Sequence, residues 1–208
     1  MKADIHGNRP PADRPPADLP PADRLLTIGG SAGSLQVVLS LLAAIDGGFP
    51  MPVLVILHRN GVFESSLEDL FATRTTMPIK EVEEKETLRN GIVYICPADY
   101  HVLLEKDHSL SLDYSERIHF SRPSIDVTFH SAADVYGPGL ICLLLSGGNA
   151  DGVEGMRYAQ ERGGLTIVQD PATAEVPYMP QQAVVRMKPD FIIGADQIPA
   201  FVRSLGQK

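Results

Sequence analysis

The 208-residue chain has no apolar run approaching the roughly 20 residues that span a bilayer, and its polar, proline-broken N-terminus lacks the apolar stretch of a signal peptide. Both absences predict a cytoplasmic protein that does not insert into a membrane. Cysteine is scarce. Only Cys96 and Cys142 occur, each inside an apolar, strand-like run (GIVYIC and LICLLL). With no further Cys or His at ligand spacing, the expectation is buried thiols and no metal. Positive charge is also in short supply. The 18 Lys and Arg face 26 Asp and Glu, a formal charge of -8, where a nucleic-acid binder presents a basic patch.

Proline, by contrast, is abundant and unevenly placed. Of 17 prolines, six fall at positions 10, 11, 15, 16, 20 and 21, inside three copies of P-P-A-D. Proline fixes φ, and this period-five segment brings no apolar residue to a regular contact interval, so residues 1–24 are expected to be an extended, disordered leader. Its charges cancel, which assigns the whole -8 to the remainder. Residues 25–208 are enough for one well-buried domain of ordinary size.

Within that body, strand and helix alternate. Leu25 to Ile28 predicts a buried strand ending at Gly29-Gly30-Ser31-Ala32-Gly33, after which Leu35, Val38, Leu39 and Leu42 recur at helical spacing. Val53 to Leu57 and a helix with Leu67, Leu70 and Phe71 form a second unit. Ile92 to Cys96 is a further strand, and His101 to Glu105 with Ser109 to Tyr114 predict a hairpin. Pro123 and Ser124 open a helix whose Ile125, Phe129, Ala132, Ala133 and Tyr136 share a face. Leu140 to Leu145 is apolar on both faces, as a central parallel strand requires. It runs into Ser146-Gly147-Gly148-Asn149-Ala150-Asp151-Gly152 and a helix ending at Gly163-Gly164. Strand Leu165 to Gln169, helix Gln181 to Met187, strand Phe191 to Ile193 and a last helix containing Ile198, Phe201, Val202 and Leu205 complete the chain. The expected fold class is α/β, a doubly wound, mostly parallel sheet with one antiparallel hairpin, in three layers α/β/α.

Open parallel sheets bind ligands beyond the carboxyl ends of their strands. Ser31 follows the first strand, His58 the second and Asp151 the long apolar one, which sets a hydroxyl, an imidazole and a carboxylate on one edge. A serine needs a base to become a nucleophile, and an imidazole oriented by a carboxylate meets that need whatever the chain order. Gly30 and Gly33 would expose the hydroxyl on a tight turn, much as in a nucleophile elbow. The backbone N–H groups after Ser31, that of Ala32 first, are candidate oxyanion donors. Each of the three also has a plainer role: Ser31 as a helix cap or phosphate cradle, His58 as a structural histidine, Asp151 as a turn and N-cap residue. Arg122, opening R-P-S-I-D, either starts a helix or reaches the cleft. Gly148, Asn149, Tyr178 and Met179 are further cleft candidates. His101, His119 and His130 are scattered at no ligand spacing, and the run Glu81, Glu83, Glu84 and Glu86 reads as solvated surface.

The stretches TIGGSAGSLQVV, VLVILHR, HFSRPSIDVTFHSAA, LLSGGNADGVEGM and GGLTIVQDPATAEVPYMP resemble, in this order, the catalytic domain of the CheB-type chemotaxis protein-glutamate methylesterases. The resemblance runs from about residue 26 to about residue 205. It implies Ser31 as nucleophile, His58 as base and Asp151 as orienting carboxylate. It also implies hydrolysis of γ-glutamyl methyl esters on the cytoplasmic region of chemoreceptor-type proteins through an acyl-serine, with deamidation of glutamines in many members, and no cofactor. Two departures stand out. The two-domain members carry an N-terminal receiver domain where this chain has the P-P-A-D leader, so a stand-alone catalytic domain is expected. The family's T-G-M-G-x-D-G turn reads S-G-G-N-A-D-G here, which bears on substrate fit. Two alternatives remain open: a related carboxylesterase or amidase acting on another protein, and a non-catalytic phosphate-binding module. Against the last stand the missing complete G-x-G-x-x-G, the absent Walker lysine, and His58 where a ribose-binding acid would end the second strand.

Overall fold

A computed structural model describes residues 22–58 and 67–207. Residues 1–21, with most of the P-P-A-D repeats, therefore lie outside the described residues, while the end of the expected leader is built into the fold: Ala22 is buried and Arg24 Nη1 donates to the Leu205 carbonyl at 3.1 Å. Seven strands form one parallel sheet: β1 (Leu25–Gly30), β2 (Val53–Leu57), β3 (Ile79–Glu81), β4 (Val93–Ile95), β7 (Leu140–Leu144), β8 (Leu165–Gln169) and β9 (Phe191–Ile193), in the spatial order β3-β4-β2-β1-β7-β8-β9. The intervening β5 (His101–Leu104) and β6 (Leu110–Asp113) pair antiparallel with each other, as a separate two-stranded sheet. The helices are α1 (Leu35–Leu42), α2 (Leu67–Ala72), α3 (Ile125–Tyr136), α4 (Val153–Glu161), α5 (Tyr178–Arg186) and α6 (Ile198–Leu205).

The strands are apolar on both sides because both sides are covered. Leu25, Leu54, Ile56, Leu140, Cys142 and Leu144 point into one core with α3, α4, α5 and the hairpin. Their alternating neighbours Leu26, Ile28, Val53, Val55, Ile141 and Leu143 point into a second core with α1, α2 and α6. This is the expected three-layer architecture, with the period-2 alternation of each central strand dividing its residues between two cores. Both cysteines are buried and not disulfide-linked, and burial pushes the Cys142 thiol up to about 12. Among the described residues, no helix is long and apolar enough to cross a membrane.

The order places β1 in the middle. From it the chain goes one way to β2 and, after β4 and the hairpin, the other way to β7, β8 and β9. The loops leaving β1 and β7 thus part to opposite faces and open a crevice at the carboxyl edge. Two elements differ from expectation. The edge strand β3, which overlaps the acidic run, carries no apolar alternation to announce it, and α5 begins at Tyr178 rather than Gln181, with Pro180 tolerated in its first turn.

Candidate active site

Ser31 stands immediately past β1, its N–H donating to the Ser146 carbonyl at 2.9 Å and so extending the β1–β7 pairing by one residue. Two hydroxyls then pin the turn by its carbonyls: Ser34 Oγ donates to Ser31 O at 2.6 Å, and Ser146 Oγ donates to Ala32 O at 2.7 Å. Gly30 makes room for the first of these, since a Cβ there would lie 2.6 Å from Ser34 Cβ. Gly33 takes φ +78°, the left-handed conformation that lets the turn reverse into α1. The strained conformation of a nucleophile elbow thus falls on Gly33 and not on Ser31. Among the described residues, the N–H groups of Ala32 and Gly33 and the Ser31 hydroxyl have no hydrogen-bond partner. Ala32 is exposed.

Asp151, at the end of the loop after β7, is fully buried and saturated with donors. Its Oδ1 accepts from Ser124 Oγ at 2.8 Å and from the Asp126 N–H at 3.0 Å; its Oδ2 accepts from the Ile125 N–H at 2.7 Å. The start of α3 therefore closes on this carboxylate, an arrangement favoured by the partial positive charge of a helix N-terminus. Oδ2 also meets His58 Nε2 at 2.7 Å. Burial alone would raise the Asp151 pKa, but the His58 contact and the backbone N–H groups of Asp126 and Ile125 outweigh it and hold the group below the usual carboxylate range. An ionised Asp151 fixes His58 with its proton on Nε2 and its lone pair on Nδ1.

Nδ1 faces Ser121 Oγ at 3.1 Å, and no hydrogen bond joins His58 to Ser31. Ser31, His58 and Asp151 thus all stand at the carboxyl edge of the sheet, with the His58–Asp151 contact made and a second serine, Ser121, on the other ring nitrogen of His58. Neither Ser121 nor its neighbour His119 stood out in the sequence. His119 Nε2 lies 3.4 Å from Asp126 Oδ2, and its carbonyl accepts from Asn149 Nδ2 at 3.2 Å. Asn149 Oδ1 accepts the Asp151 N–H at 3.2 Å, so this residue ties two loops together. His119, Asp126 and Asp151 bring one ligand-type atom each within 4.8 Å of one another. The four donors on Asp151 occupy the lone pairs a cation would need, so the group does not fit a metal.

The remaining candidates divide. Met179 is buried beneath the turn, its Sδ and Cε 2.8 and 2.5 Å from where a Cβ on Gly147 would sit; that same Cβ would be 3.1 Å from Ser31 Cβ. Met179 and Gly147 thus back the serine. Tyr178 and Gly148 are exposed beside it. Arg122 takes the structural course. Its Nη1 donates to the carbonyls of Tyr114 and Ser115 at 3.0 and 2.6 Å, and the guanidinium lies 3.8 Å above the Tyr114 ring, so it clamps a loop. His101 is likewise structural: buried, with Nδ1 accepting the Ser124 N–H and Nε2 donating to Glu116 O, each at 3.0 Å.

A doubly wound α/β domain with a serine, an imidazole and a carboxylate at its switch-point crevice is the arrangement of a hydrolase. The CheB methylesterase family profile matches residues 26–202. The chain belongs to the CheB methylesterase family and is an enzyme of its class, a carboxylic ester hydrolase. A Leptospira interrogans protein, provisionally named a protein-glutamate methylesterase/protein-glutamine glutaminase, is 37% identical over 182 residues, 88% of this chain and 94% of the relative. Protein-glutamate methylesterase/protein-glutamine glutaminase 2 of Methanosarcina mazei is 30% identical over 181 residues, 84% of this chain but 49% of the relative, so the chain spans about half of that protein. The crystal structure of the Thermotoga maritima CheB methylesterase catalytic domain superposes with a TM-score of 0.83 at 29% identity, covering 88% of this chain and 98% of that one.

Proposed function

We propose that residues 25–208 form a protein-glutamate methylesterase domain in which Ser31 is the nucleophile, His58 the base and Asp151 the orienting carboxylate. The substrate on this reading is a γ-glutamyl methyl ester on the cytoplasmic region of a chemoreceptor-type protein, with γ-glutamine as a second substrate and no cofactor. The observation that carries it is the pairing of His58 with a buried Asp151 at 2.7 Å beside a serine turn whose next two N–H groups are unbonded among the described residues.

The chemistry follows from those groups. His58 Nδ1 takes the Ser31 proton as Oγ attacks the ester carbonyl; for this the Ser121 hydroxyl must turn its own proton away from Nδ1. The N–H groups of Ala32 and Gly33 bind the tetrahedral oxyanion, each such donor contributing about 2.7–4 kcal/mol to the transition state. The imidazolium, stabilised by Asp151, protonates the departing methanol and leaves an acyl-Ser31. A water then gives its proton to His58 and attacks the acyl carbon, which frees the γ-carboxylate and restores Ser31. With a glutamine the leaving group is ammonia.

A second reading has one specific observation in its favour: Ser121, not Ser31, is the serine hydrogen-bonded to the base. Against it, the Ser121 N–H is already bonded to the Ile118 carbonyl, so an oxyanion formed there finds no donor of its own residue. Methanol release from methylated receptor membranes separates the two. Ser31→Ala should lower it at least about 10³-fold, while Ser121→Ala keeps it within about tenfold of wild type. The opposite pattern assigns the nucleophile to Ser121, and loss in neither variant removes both from the mechanism.

A further inference from the structure

Next to the site, the chain makes a two-residue reversal that the hydrolytic chemistry does not require. Ile118 N–H donates to Ser121 O at 3.1 Å and Ser121 N–H to Ile118 O at 2.9 Å, which leaves His119 and Phe120 as the central residues, with φ of 50° and 63°. Such turns favour Asn and Gly because a Cβ at positive φ crowds the following carbonyl. A His-Phe pair is a costly way to build one. The fold returns nothing to Phe120 for this, since its side chain is 96% exposed. Strain held at a site, on a side chain left almost wholly exposed, points to a partner that supplies the contact.

The reversal is held against the reacting groups. Ser121 Oγ meets His58 Nδ1 at 3.1 Å, Asn149 Nδ2 donates to the His119 carbonyl at 3.2 Å, and His119 Nε2 faces Asp126 Oδ2 at 3.4 Å. An ester within reach of His58 therefore lies beside this turn, and a protein chain carrying it has the turn's tip as a neighbouring surface. Ala32, directly after Ser31, and Gly148, in the loop after β7, are exposed, so among the described residues the serine turn is open to a large partner. Ile118, at the base of the same turn, is also an exposed apolar side chain, at 40%.

We propose that Phe120 is the specificity-determining anchor of this enzyme: apolar side chains flanking the esterified glutamate of the protein substrate cover it when the ester reaches the catalytic serine. This rests on the methylesterase reading above and names the substrate feature that reading leaves open. The substrate recognised is a protein segment with the ester set among apolar residues, rather than an isolated glutamyl ester.

Two measurements on the full chain test it. In methanol release from methylated receptor membranes, Phe120→Ala should raise KM about tenfold or more, as truncation of an interface aromatic does, while kcat stays within about twofold and Phe120→Leu recovers most of the loss. An unchanged KM for Phe120→Ala overturns the proposal. The sequence contains no tryptophan, so Phe120→Trp places one reporter at the tip. Its emission should be solvent-like in the free protein and shift to the blue with receptor membranes. Solvent-like emission from protein that co-sediments with the receptor, or an equal shift with receptor-free vesicles of the same lipids, also overturns it. If wild type neither releases methanol nor co-sediments, the methylesterase reading itself fails and this inference falls with it. Methanol release by wild type with an unaltered Phe120→Ala KM removes only the role of Phe120.

Discussion

Asp126 and Asp151 bring carboxylate oxygens within 4.8 Å of one another, and two neighbouring carboxylates in a buried place do not both ionise readily. Asp151 holds the charge because His58 and the N–H groups at the start of α3 converge on it. Asp126 pays the cost: burial first, then the charge on Asp151, push its pKa up to about 6, against the opposing pull of the Gly155 N–H and of His119. A carboxyl whose pKa is higher folded than unfolded favours the fold when protonated. Its contribution is complete below the unfolded value of 3.8 and is lost as pH rises through about 6. Asp126→Asn, which keeps an acceptor for Gly155 and removes the charge, is therefore expected to melt at a higher temperature than wild type at pH 8. The gap should close as the pH falls to about 4, and a gap that widens toward acid would contradict this reading of the pair. Nothing in the sequence marked this carboxylate, because R-P-S-I-D satisfies the ordinary pattern of a helix start.

The turn between β1 and α1 is the element on which the proposed nucleophile depends. Its glycines and small residues were legible as a strand-to-helix turn, and the helical spacing of Leu35, Val38, Leu39 and Leu42 located α1 correctly. What local pattern did not carry is the set of hydroxyls that shape it, Ser146 above all, which joins the turn to Val176, 30 residues further along, through a 2.9 Å bond from the Val176 N–H. At Gly33 the φ of +78° and the neighbours Glu175 Cβ at 2.6 Å and Ser146 Oγ at 2.8 Å leave no place for a methyl group. Gly33→Ala should destabilise the protein by at least the roughly 1–2 kcal/mol of a left-handed Cβ, seen as a lower urea midpoint at unchanged slope. A midpoint equal to that of wild type would mean the turn relaxes freely. The elements misjudged, β3 and the first turn of α5, are those with little apolar signal or with a proline inside a helix.

Across the whole molecule, one sheet serves two cores, so neither core can be lost alone. Leu143 and Leu144 are adjacent on β7, both fully buried, one in each core. Leu143→Ala and Leu144→Ala should each cost about 2–5 kcal/mol and shift one and the same unfolding transition, with far-UV circular dichroism and tyrosine fluorescence coinciding. Two separated transitions, one for each variant, would show that the two layers unfold independently and that residues 25–208 are not a single cooperative domain.

The order and type of most elements, the doubly wound class, the central place of β7 and the family were all contained in the linear sequence. Apolar periodicity, glycine-rich turns and motif order are local properties, and they survive without coordinates. The sequence also set Ser31, His58 and Asp151 at strand ends, since in a parallel sheet every strand end faces the same edge. Only the tertiary structure decided which atoms meet there. His58 and Asp151 are 93 residues apart, and His58 and Ser121 63 apart. Their contacts depend on strand order and on the course of the loop before α3. That is why His58 turns Nε2 to the carboxylate and Nδ1 to a serine no motif announced, why Arg122 clamps a loop, and why His119 and Phe120 stand at the edge of the site. A hydrogen bond between distant residues has no local signature, because its geometry is fixed by the cores that hold the two loops and not by the residues around either atom.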